Sequence, residues 1–197
     1  MTSDFIHFFQ LLDTLSELNE AEKKIMKTLF SFRYVPKKTI LTQAGETAHE
    51  LYFINKGLLR LYYRKDGEEI TAYIFREHLF ASSYDSFLKQ EPGIQYLETL
   101  EDCQLLVINY RQMQELYQTV PKMHIITRKI AEQRFINAQQ ILSSFLLDSP
   151  EERYAKFEQS NKDLLHRIPH HIIASYLGIT PVSMSRIRKR RIEQQRK

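Results

Sequence analysis

Positive charge is concentrated at the end of the chain, in the segment from Pro181 to Lys197. This segment holds seven arginines and lysines but only one acid, Glu193, so its net charge is +6, whereas the whole chain carries +4. A basic tip on a mildly acidic body is typical of an element that contacts nucleic-acid phosphates. Charge runs are also common on solvated helix faces, so this interpretation depends on the structure that presents the charge.

The sequence around the start of this segment has the pattern of two short helices that cross at a steep angle. It reads HHIIASYLGITPVSMSRIRK from His170 to Lys189. Small Ala174 allows a second helix to approach closely, and Gly178 supplies the positive φ that ends the first helix. The apolar residues of the inner faces are Ile173, Leu177, Ile179, Met184 and Ile187. The pattern predicts a helix-turn-helix; the alternative is an ordinary helical corner, and the basic second helix favours a DNA reader.

Length and composition indicate a chain that can bury a core. Of its 197 residues, 43% are hydrophobic and 12% are aromatic. The single cysteine, Cys103, excludes an intrachain disulfide and a cysteine-ligated cluster within one chain. The N-terminal stretch lacks the basic start and unbroken apolar core of a signal peptide, and no window reaches the ~18 apolar residues of a membrane span. We therefore expect a cytoplasmic protein without a membrane partner.

Apolar spacing divides the first half of the chain into helices and then strands. Helical spacing runs from Phe5 to Phe32, with Asn19 as a cap between two helices. Beyond Arg33 the period shortens towards two, and glycines stand at the turns. The predicted strands are Lys38–Gln43, Glu50–Asn55, Leu58–Arg64, Glu69–Phe75, Gln95–Glu101 and Gln104–Asn109. This pattern predicts an α+β fold whose N-terminal part is an antiparallel β-roll or jelly roll flanked by helices.

A long helical segment follows the strands, from about Gln112 to Leu147, and Pro121 divides it. Its broad apolar stripe has two explanations, a cover for the roll or a dimer seam, and one helix can serve both. A break at residues 148–152 precedes a fresh helix over Glu151–Gln159. The predicted organisation is a β-roll sensor domain at 1–120, a linker and dimerisation helix at 121–147, and a helix-turn-helix domain at 148–197.

This order of elements resembles the Crp–Fnr family of bacterial transcription regulators over nearly the whole chain. In the roll, the resemblance rests on QAGE at 43–46, LYFINKGLLRLY at 51–62 and DGEE at 66–69. At the C-terminal end it rests on IIASYLGITP at 172–181 and SRI at 185–187. The resemblance implies a cyclic-nucleotide-binding-like roll, a homodimer, a helix-turn-helix that binds double-stranded DNA, and RNA polymerase as a further partner.

The roll departs from the family members that bind cyclic nucleotides. Those members have a Gly-Glu-Leu-like turn and a later Arg-Ser or Arg-Ala pair, which hold the cyclic phosphate and the ribose. Here the turn is replaced by LFASSYDSFL at 79–88, and the arginine position falls close to Gly93-Ile94. No arginine occurs between Arg76 and Arg111. Because a buried phosphate without a cation binds weakly, we expect no cyclic AMP binding and assign no cofactor, although another small-molecule effector stays open.

The same hollow has a candidate lining for another ligand, with an apolar body and a few hydroxyl groups. Its residues are Phe75, Phe80, Ser82, Ser83, Tyr84 and Tyr96. The simpler interpretation is that these side chains fill the roll's own core. Haem sensing would need an axial ligand, for which His49 and His78 are the candidates.

The candidate DNA-contacting residues lie in the second helix of the pair, with Thr180 as its cap and Pro181 in its first turn. Family members that read a guanine-rich half-site have Arg-Glu where this chain has Pro181-Val182, so we expect a different operator. Arg186 can still bond guanine in a bidentate manner, whereas Lys189 and Arg190 are placed for phosphates. The full candidate set is Thr180, Pro181, Val182, Ser183, Ser185, Arg186, Lys189 and Arg190. The wing that usually follows is expected to be short or absent, and the tail at 190–197 to extend the helix or follow the DNA backbone.

Catalysis is not predicted. The seven histidines lack the i, i+2 spacing that a metal site on a β-barrel needs, and no Gly-rich phosphate loop or nucleophile elbow is present. We therefore expect neither a metal nor an enzyme. The alternative function is a small-molecule-sensing signalling module whose basic tail binds a protein rather than DNA.

Overall fold

The computed structural model describes residues 3–195, so Arg196 and Lys197 of the basic tail lie outside the described residues. A 3-10 turn at Ser3–Phe5 leads into helix α1 (Ile6–Leu15), and α2 spans Glu20–Leu29. Asn19 caps α2: its side chain accepts the N–H of Glu22 at 2.9 Å, and its own N–H donates to the Glu22 carboxylate at 2.8 Å. This capping box satisfies backbone donors that a helix start leaves open, and it confirms the predicted cap.

The predicted antiparallel roll is present, and it is built from two four-stranded sheets, with eight strands where six were predicted. Its strands are β1 (Ser31–Val35), β2 (Ile40–Thr42), β3 (Glu50–Lys56), β4 (Leu59–Lys65), β5 (Glu68–Phe75), β6 (Phe80–Ala81), β7 (Tyr96–Thr99) and β8 (Cys103–Asn109). The first sheet has the order β1-β8-β3-β6 and the second the order β2-β7-β4-β5. The central pair of the first sheet, β3 and β8, begins its register with Glu50 opposite Asn109.

The predicted helical region of the N-terminal segment was too long. Helix α2 ends at Leu29, and β1 begins at Ser31. Phe32 follows the helical spacing, but it lies on an edge strand with its side chain 46% exposed. Strands β1 and β6 and the short helix α3 (Tyr84–Lys89) were not predicted, because two to six residues are too few to show a period.

Two apolar clusters hold the roll together. One fills the space between the two sheets, with Tyr52, Ile54, Leu59, Phe75 and Leu97 among its members. The other joins α1, α2 and the helices after the roll to the outer face of the first sheet. Its largest members include Phe8, Leu12, Met26, Phe53, Phe80, Leu106 and Leu116. Strands β3 and β8 contribute side chains to both clusters, because successive side chains of a strand point to opposite faces of the sheet.

The helices after the roll follow the predicted order. Helix α4 (Tyr110–Thr119) and helix α5 (Lys122–Leu147) are separated at Pro121, as expected, and α6 covers Pro150–Ser160. Ser149 caps α6 through a second capping box with Glu152. The chain then forms the short helix α7 (Leu164–Arg167), which was not predicted, followed by α8 (His170–Tyr176) and α9 (Pro181–Gln195).

The described chain divides into two compact units. One contains the residues up to Arg64 together with Ala72–Gln133, and the other contains Lys65–Thr71 and the residues from Arg134 onward. In the second unit, the Ser175 hydroxyl accepts the N–H of Thr71 and donates to the carbonyl of Glu69, both at 2.9 Å. Since the division falls inside α5, the predicted boundaries at 120 and 147 remain predictions.

Candidate nucleic-acid interface

The turn between α8 and α9 is fixed by backbone geometry. Gly178 has φ +64, a value that glycine adopts without steric cost. The N–H of Ile179 donates to the carbonyl of Ala174 at 3.0 Å, and the N–H of Gly178 donates to that of Ser175 at 3.1 Å. These two bonds form the Schellman arrangement that closes a helix C-terminus. The predicted helix end at Gly178 is therefore present.

The facing sides of α8 and α9 are fully apolar. Ile173 and Ala174 on α8 have no exposed surface, and Met184 and Ile187 on α9 are buried against them. A side chain larger than alanine at position 174 would push the second helix away, because cores pack at crystal-like density. Burial of Met184 and Ile187 turns the opposite side of α9 to solvent, and this exposed side carries Val182, Arg186 and Lys189.

Thr180 and Pro181 start α9 as predicted. The Thr180 hydroxyl oxygen accepts the N–H of Ser183 at 3.1 Å, which satisfies a donor that the first turn leaves open. Thr180 also donates to the hydroxyl of Ser183 at 3.0 Å. Val182 is 60% exposed, and Ser185 is exposed. The first turn of α9 thus presents small side chains and an apolar group, with no charge before Arg186.

The cations of α9 fall into two groups that the sequence alone does not distinguish. Arg186 and Lys189 are exposed, and within residues 3–195 no acidic side chain pairs with either of them. Arg190 instead pairs with Glu151 of α6 at 2.5 Å, and Arg191 pairs with Glu158 of α6 at 2.8 Å. The sequence placed Arg190 for phosphate contact, whereas in the structure its guanidinium is bound to a carboxylate.

Arg188 is half-buried, and its guanidinium lies 2.8 Å from the ring nitrogen Nε2 of His170, at the start of α8. Burial, together with the positive charge of Arg188, lowers the pKa of His170 below its ordinary value. A neutral imidazole ring can accept a hydrogen bond from the guanidinium, which a protonated ring cannot do. The contact therefore joins α9 to α8 without adding a second positive charge.

The six residues proposed as an effector lining do not share one environment. Phe75 lies in the cluster between the sheets, whereas Phe80 packs in the helix-facing cluster, 5.2 Å from the ring of Phe53. Tyr84 packs on Phe87, and Tyr96 stacks on Tyr62 at 5.0 Å. This placement agrees with the simpler interpretation that the aromatic members belong to the roll's packing.

The two serines of the set, Ser82 and Ser83, are buried and hydrogen-bonded. Ser82 donates to the carbonyl of Glu50 at 2.9 Å. Ser83 donates to the side-chain oxygen of Gln95 at 2.7 Å, and the amide of Gln95 donates to the hydroxyl of Tyr63 at 2.7 Å. The polar groups of these serines are therefore bonded to other groups of the protein. The same hydroxyls were the ones expected to bind an effector.

Gly93, one of the two residues close to the position expected for a phosphate-binding arginine, is tightly enclosed. A Cβ atom there would lie 3.0 Å from Cβ of Ser86 and 3.2 Å from Oγ of Ser83. The backbone of Gly93 also bonds to the neighbouring turn: its N–H donates to Glu46 and its carbonyl accepts from Gly45. A long side chain at position 93 would require Ser86 to move. The close packing is therefore consistent with the absence of a phosphate-binding arginine at this position.

The second half of α5 exposes a row of large apolar side chains. Exposed fractions are 65% for Phe135, 74% for Leu146 and 82% for Leu147. Beside them lies an open groove of about 520 Å³, whose lining is mostly apolar and includes Ile136 and Ser143. Exposed apolar patches that are large and contiguous are typical of interaction surfaces.

The described part of the chain offers little for metal or thiol chemistry. No cluster of three or more histidine, cysteine or acidic side chains there could hold a metal ion. None of the described helices combines the length and the apolar character that crossing a bilayer demands. Cys103 is buried, and burial raises the pKa of its thiol to about 12, so the thiolate that reacts with oxidants is scarce at neutral pH.

Comparison with known proteins assigns the roll. The family model for the cyclic nucleotide-binding domain matches residues 32–120. An anaerobic regulatory protein of Bacillus subtilis (strain 168) is 27% identical over 93 residues, an alignment that spans 47% of this chain and only 39% of that relative.

Solved structures extend the likeness to nearly the whole fold. A transcriptional regulator of the Crp/Fnr family from Eubacterium rectale superposes with a TM-score of 0.70 at 22% identity, covering 90% of this chain and 85% of that one. FixK2 from Bradyrhizobium japonicum superposes with a TM-score of 0.72 at 15% identity, covering 84% of this chain and 86% of that one. At these identities the likeness shows the fold alone. The predicted resemblance to Crp–Fnr regulators is confirmed at that level.

Proposed function

We propose that this chain is a cytoplasmic transcription regulator that binds double-stranded DNA as a homodimer. In this proposal α8 and α9 form the helix-turn-helix, and α9 enters the major groove. The comparisons support the coarser statement, a DNA-binding regulator of the Crp–Fnr type rather than an enzyme. RNA polymerase is a further partner that the same resemblance implies.

The single observation that carries the proposal is the unpaired positive edge of α9. Arg186 and Lys189 are exposed on the side opposite Met184 and Ile187, and no described acid neutralises them. Arg186 is the residue of this edge that can bond O6 and N7 of guanine in a bidentate manner, worth about 1–3 kcal/mol of discrimination. Lys189, a point charge, suits a phosphate instead.

The homodimer is supported by the exposed apolar row on α5. A helix-turn-helix reads two half-sites about 34 Å apart, which requires two copies held in fixed register. Helix α5 has 26 residues and is therefore about 39 Å long. Pairing of Phe135, Leu146 and Leu147 with their counterparts in a second copy would bury surfaces that are costly to leave in water.

In this proposal the roll does not hold a cyclic nucleotide. The family's phosphate site combines helix-start amides with an arginine, whereas here the corresponding position lies close to Gly93-Ile94, and Ser83 and Ser86 pack around Gly93. The hydroxyl of Ser83 is bonded to Gln95. Titration calorimetry with cyclic AMP and cyclic GMP should therefore show no micromolar binding, and a measured micromolar affinity would remove this part of the proposal.

The decisive experiment is selection of bound fragments from randomised duplex DNA by the purified protein, with Arg186→Ala in parallel. A palindromic consensus that weakens at one base pair per half-site in the variant supports a dimeric DNA reader. Binding without sequence preference in both proteins would contradict sequence-specific reading. Absence of any salt-dependent binding would favour the alternative of a protein-binding tail.

A further inference from the structure

We propose that Glu151 limits how many DNA phosphates the interface neutralises, because it occupies the guanidinium of Arg190 as an internal substitute for a phosphate. The inference rests on the proposed DNA-binding function. It concerns an acid on α6, outside the two helices that resemble a DNA reader.

Two acids of α6 face α9 together. Glu151 and Glu158 are seven residues apart and so share one face of the helix. Arg190 lies 2.5 Å from the Glu151 carboxylate, and Arg191 lies 2.8 Å from that of Glu158. The C-terminal half of α9 is therefore held against α6 by two adjacent ion pairs.

The two pairs differ in solvent exposure. The side chains of Arg191 and Glu158 are 33% and 26% exposed, and Glu158 also accepts the Tyr154 hydroxyl at 3.3 Å. Arg191 uses both Nε and Nη2 in its pair. This pair is built into the packing of α6 on α9 and has a structural role.

The Arg190–Glu151 pair is open to solvent. Its side chains are 60% and 51% exposed, and exposed pairs of this kind are weak and screened by salt. A backbone phosphate, like a carboxylate, offers Arg190 one negative charge and two oxygens that can accept a bidentate pair. Glu151 and a DNA phosphate therefore compete for one guanidinium.

The position of Arg190 on α9 makes this competition relevant to DNA. Arg190 follows Arg186 by four residues, so the two side chains are neighbours on one flank of the helix. A phosphate contact beside a base-reading arginine adds affinity for every sequence. With Glu151 in place, this sequence-independent contribution is withheld.

The test uses fluorescence anisotropy with a labelled random-sequence duplex, at salt concentrations from 50 to 200 mM. Each phosphate neutralised contributes about 0.9 to the slope of log affinity against log salt. Glu151→Gln should steepen the slope by about 0.9, so that its affinity advantage over the native protein shrinks about 3.5-fold across this range. Arg190→Ala alone should leave the slope unchanged, and Arg190→Ala added to Glu151→Gln should abolish the gain.

Controls separate competition from charge and from folding. Glu20→Gln makes the same change in net charge at a side chain that is 90% exposed on α2, and it should not alter the slope. Thermal unfolding by circular dichroism should show the Glu151→Gln midpoint near the native value, whereas Glu158→Gln should lower it.

Two results would overturn the inference while leaving DNA binding intact. One is a native slope in Glu151→Gln; the other is a slope already reduced by about 0.9 in Arg190→Ala alone, since Arg190 would then be contacting a phosphate. If the native protein showed no salt-dependent DNA binding, the proposed function itself would fail, and this inference with it.

Discussion

Phe145 and Gly178 are packed so closely that a Cβ atom on Gly178 would lie 2.6 Å from Cε1 of the Phe145 ring. The contact joins the last turns of α5 to the turn between α8 and α9. Arg153 contacts the same ring: its guanidinium lies 5.2 Å from the Phe145 ring centroid and donates to the carbonyls of Leu177 and Asp148, both at 2.8 Å. The contacts among Phe145, Gly178 and Arg153 therefore hold the end of α5 against the turn that precedes α9.

Gly178→Ala should destabilise the C-terminal unit through both strain and collision. A left-handed φ costs an L-residue about 1–2 kcal/mol, and the methyl group must also displace the Phe145 ring. Gly67→Ala is a matched control, because Gly67 has φ +82 but nothing within 4 Å of its Cβ position. Urea unfolding followed by circular dichroism should show a larger loss for Gly178→Ala than for Gly67→Ala. Equal losses would mean that the ring moves aside without cost.

Arg186→Ala and Lys189→Ala should affect DNA binding in different ways. Loss of Arg186 should relax selectivity at one base pair by about 1–3 kcal/mol. Loss of Lys189 should weaken binding to all sequences alike and reduce the salt slope by about 0.9. Anisotropy titrations on the selected site and on a scrambled duplex distinguish the two patterns. A uniform loss in both variants would place Arg186 on a phosphate instead.

Most of the fold could be predicted from the sequence because its signals are local. Three helices begin after residues whose side chains can accept a backbone N–H, namely Asn19, Ser149 and Thr180. Pro121 interrupts the long helical segment because proline lacks the N–H that a helix interior needs. Strand β6 carries no such signal, since Phe80 and Ala81 are held by pairing with β3 rather than by their own pattern.

The candidate site was only partly predictable, because the sequence shows which residues of α9 are positively charged but not which of them form ion pairs with distant acids. The sequence assigned Arg186 to a base and both Lys189 and Arg190 to phosphates, and nothing local indicated that, within residues 3–195, Arg190 alone of the three has a carboxylate partner. Glu151 reaches Arg190 from 39 residues earlier in the chain, so the pair becomes visible only when α6 packs on α9. The hydrogen bond from Ser83 to Gln95 is likewise visible only in the folded chain, and it occupies a hydroxyl that the sequence analysis assigned to a possible ligand.

Ile136→Glu should prevent self-association. Ile136 is 48% exposed in the apolar row of α5, next to Phe135. A buried carboxylate at a helix–helix seam loses hydration without a partner, so a dimeric protein should become monomeric. Ile40→Glu is the control, because Ile40 is 44% exposed on β2 of the roll and should leave association unchanged. Light scattering coupled to size exclusion gives the mass directly, and a dimer that survives Ile136→Glu would locate the seam elsewhere.

The roll should lose stability in acid partly through Glu50. Two hydrogen bonds from Arg33, at 2.6 and 2.7 Å, hold the pKa of the Glu50 carboxyl below its usual 4.5, with a further bond from Tyr52, against the opposing effect of burial. A carboxyl whose folded pKa is depressed binds protons more readily in the unfolded chain. Its contribution to the free energy of unfolding is therefore complete above pH 4.5 and is lost as the pH falls through the folded pKa.

Glu50→Gln should remove that dependence. Its unfolding free energy is expected to lie below the native value at pH 7 and to fall less steeply below pH 4.5, so that the two curves converge in acid. Arg33→Met should flatten the curve in the same way, whereas Glu115→Gln, at an exposed position on α4, should run parallel to the native protein. Urea unfolding at intervals from pH 3 to pH 7 supplies the curves. Parallel native and Glu50→Gln curves would show that the Arg33 pair is equally formed in the unfolded chain or contributes nothing to the fold.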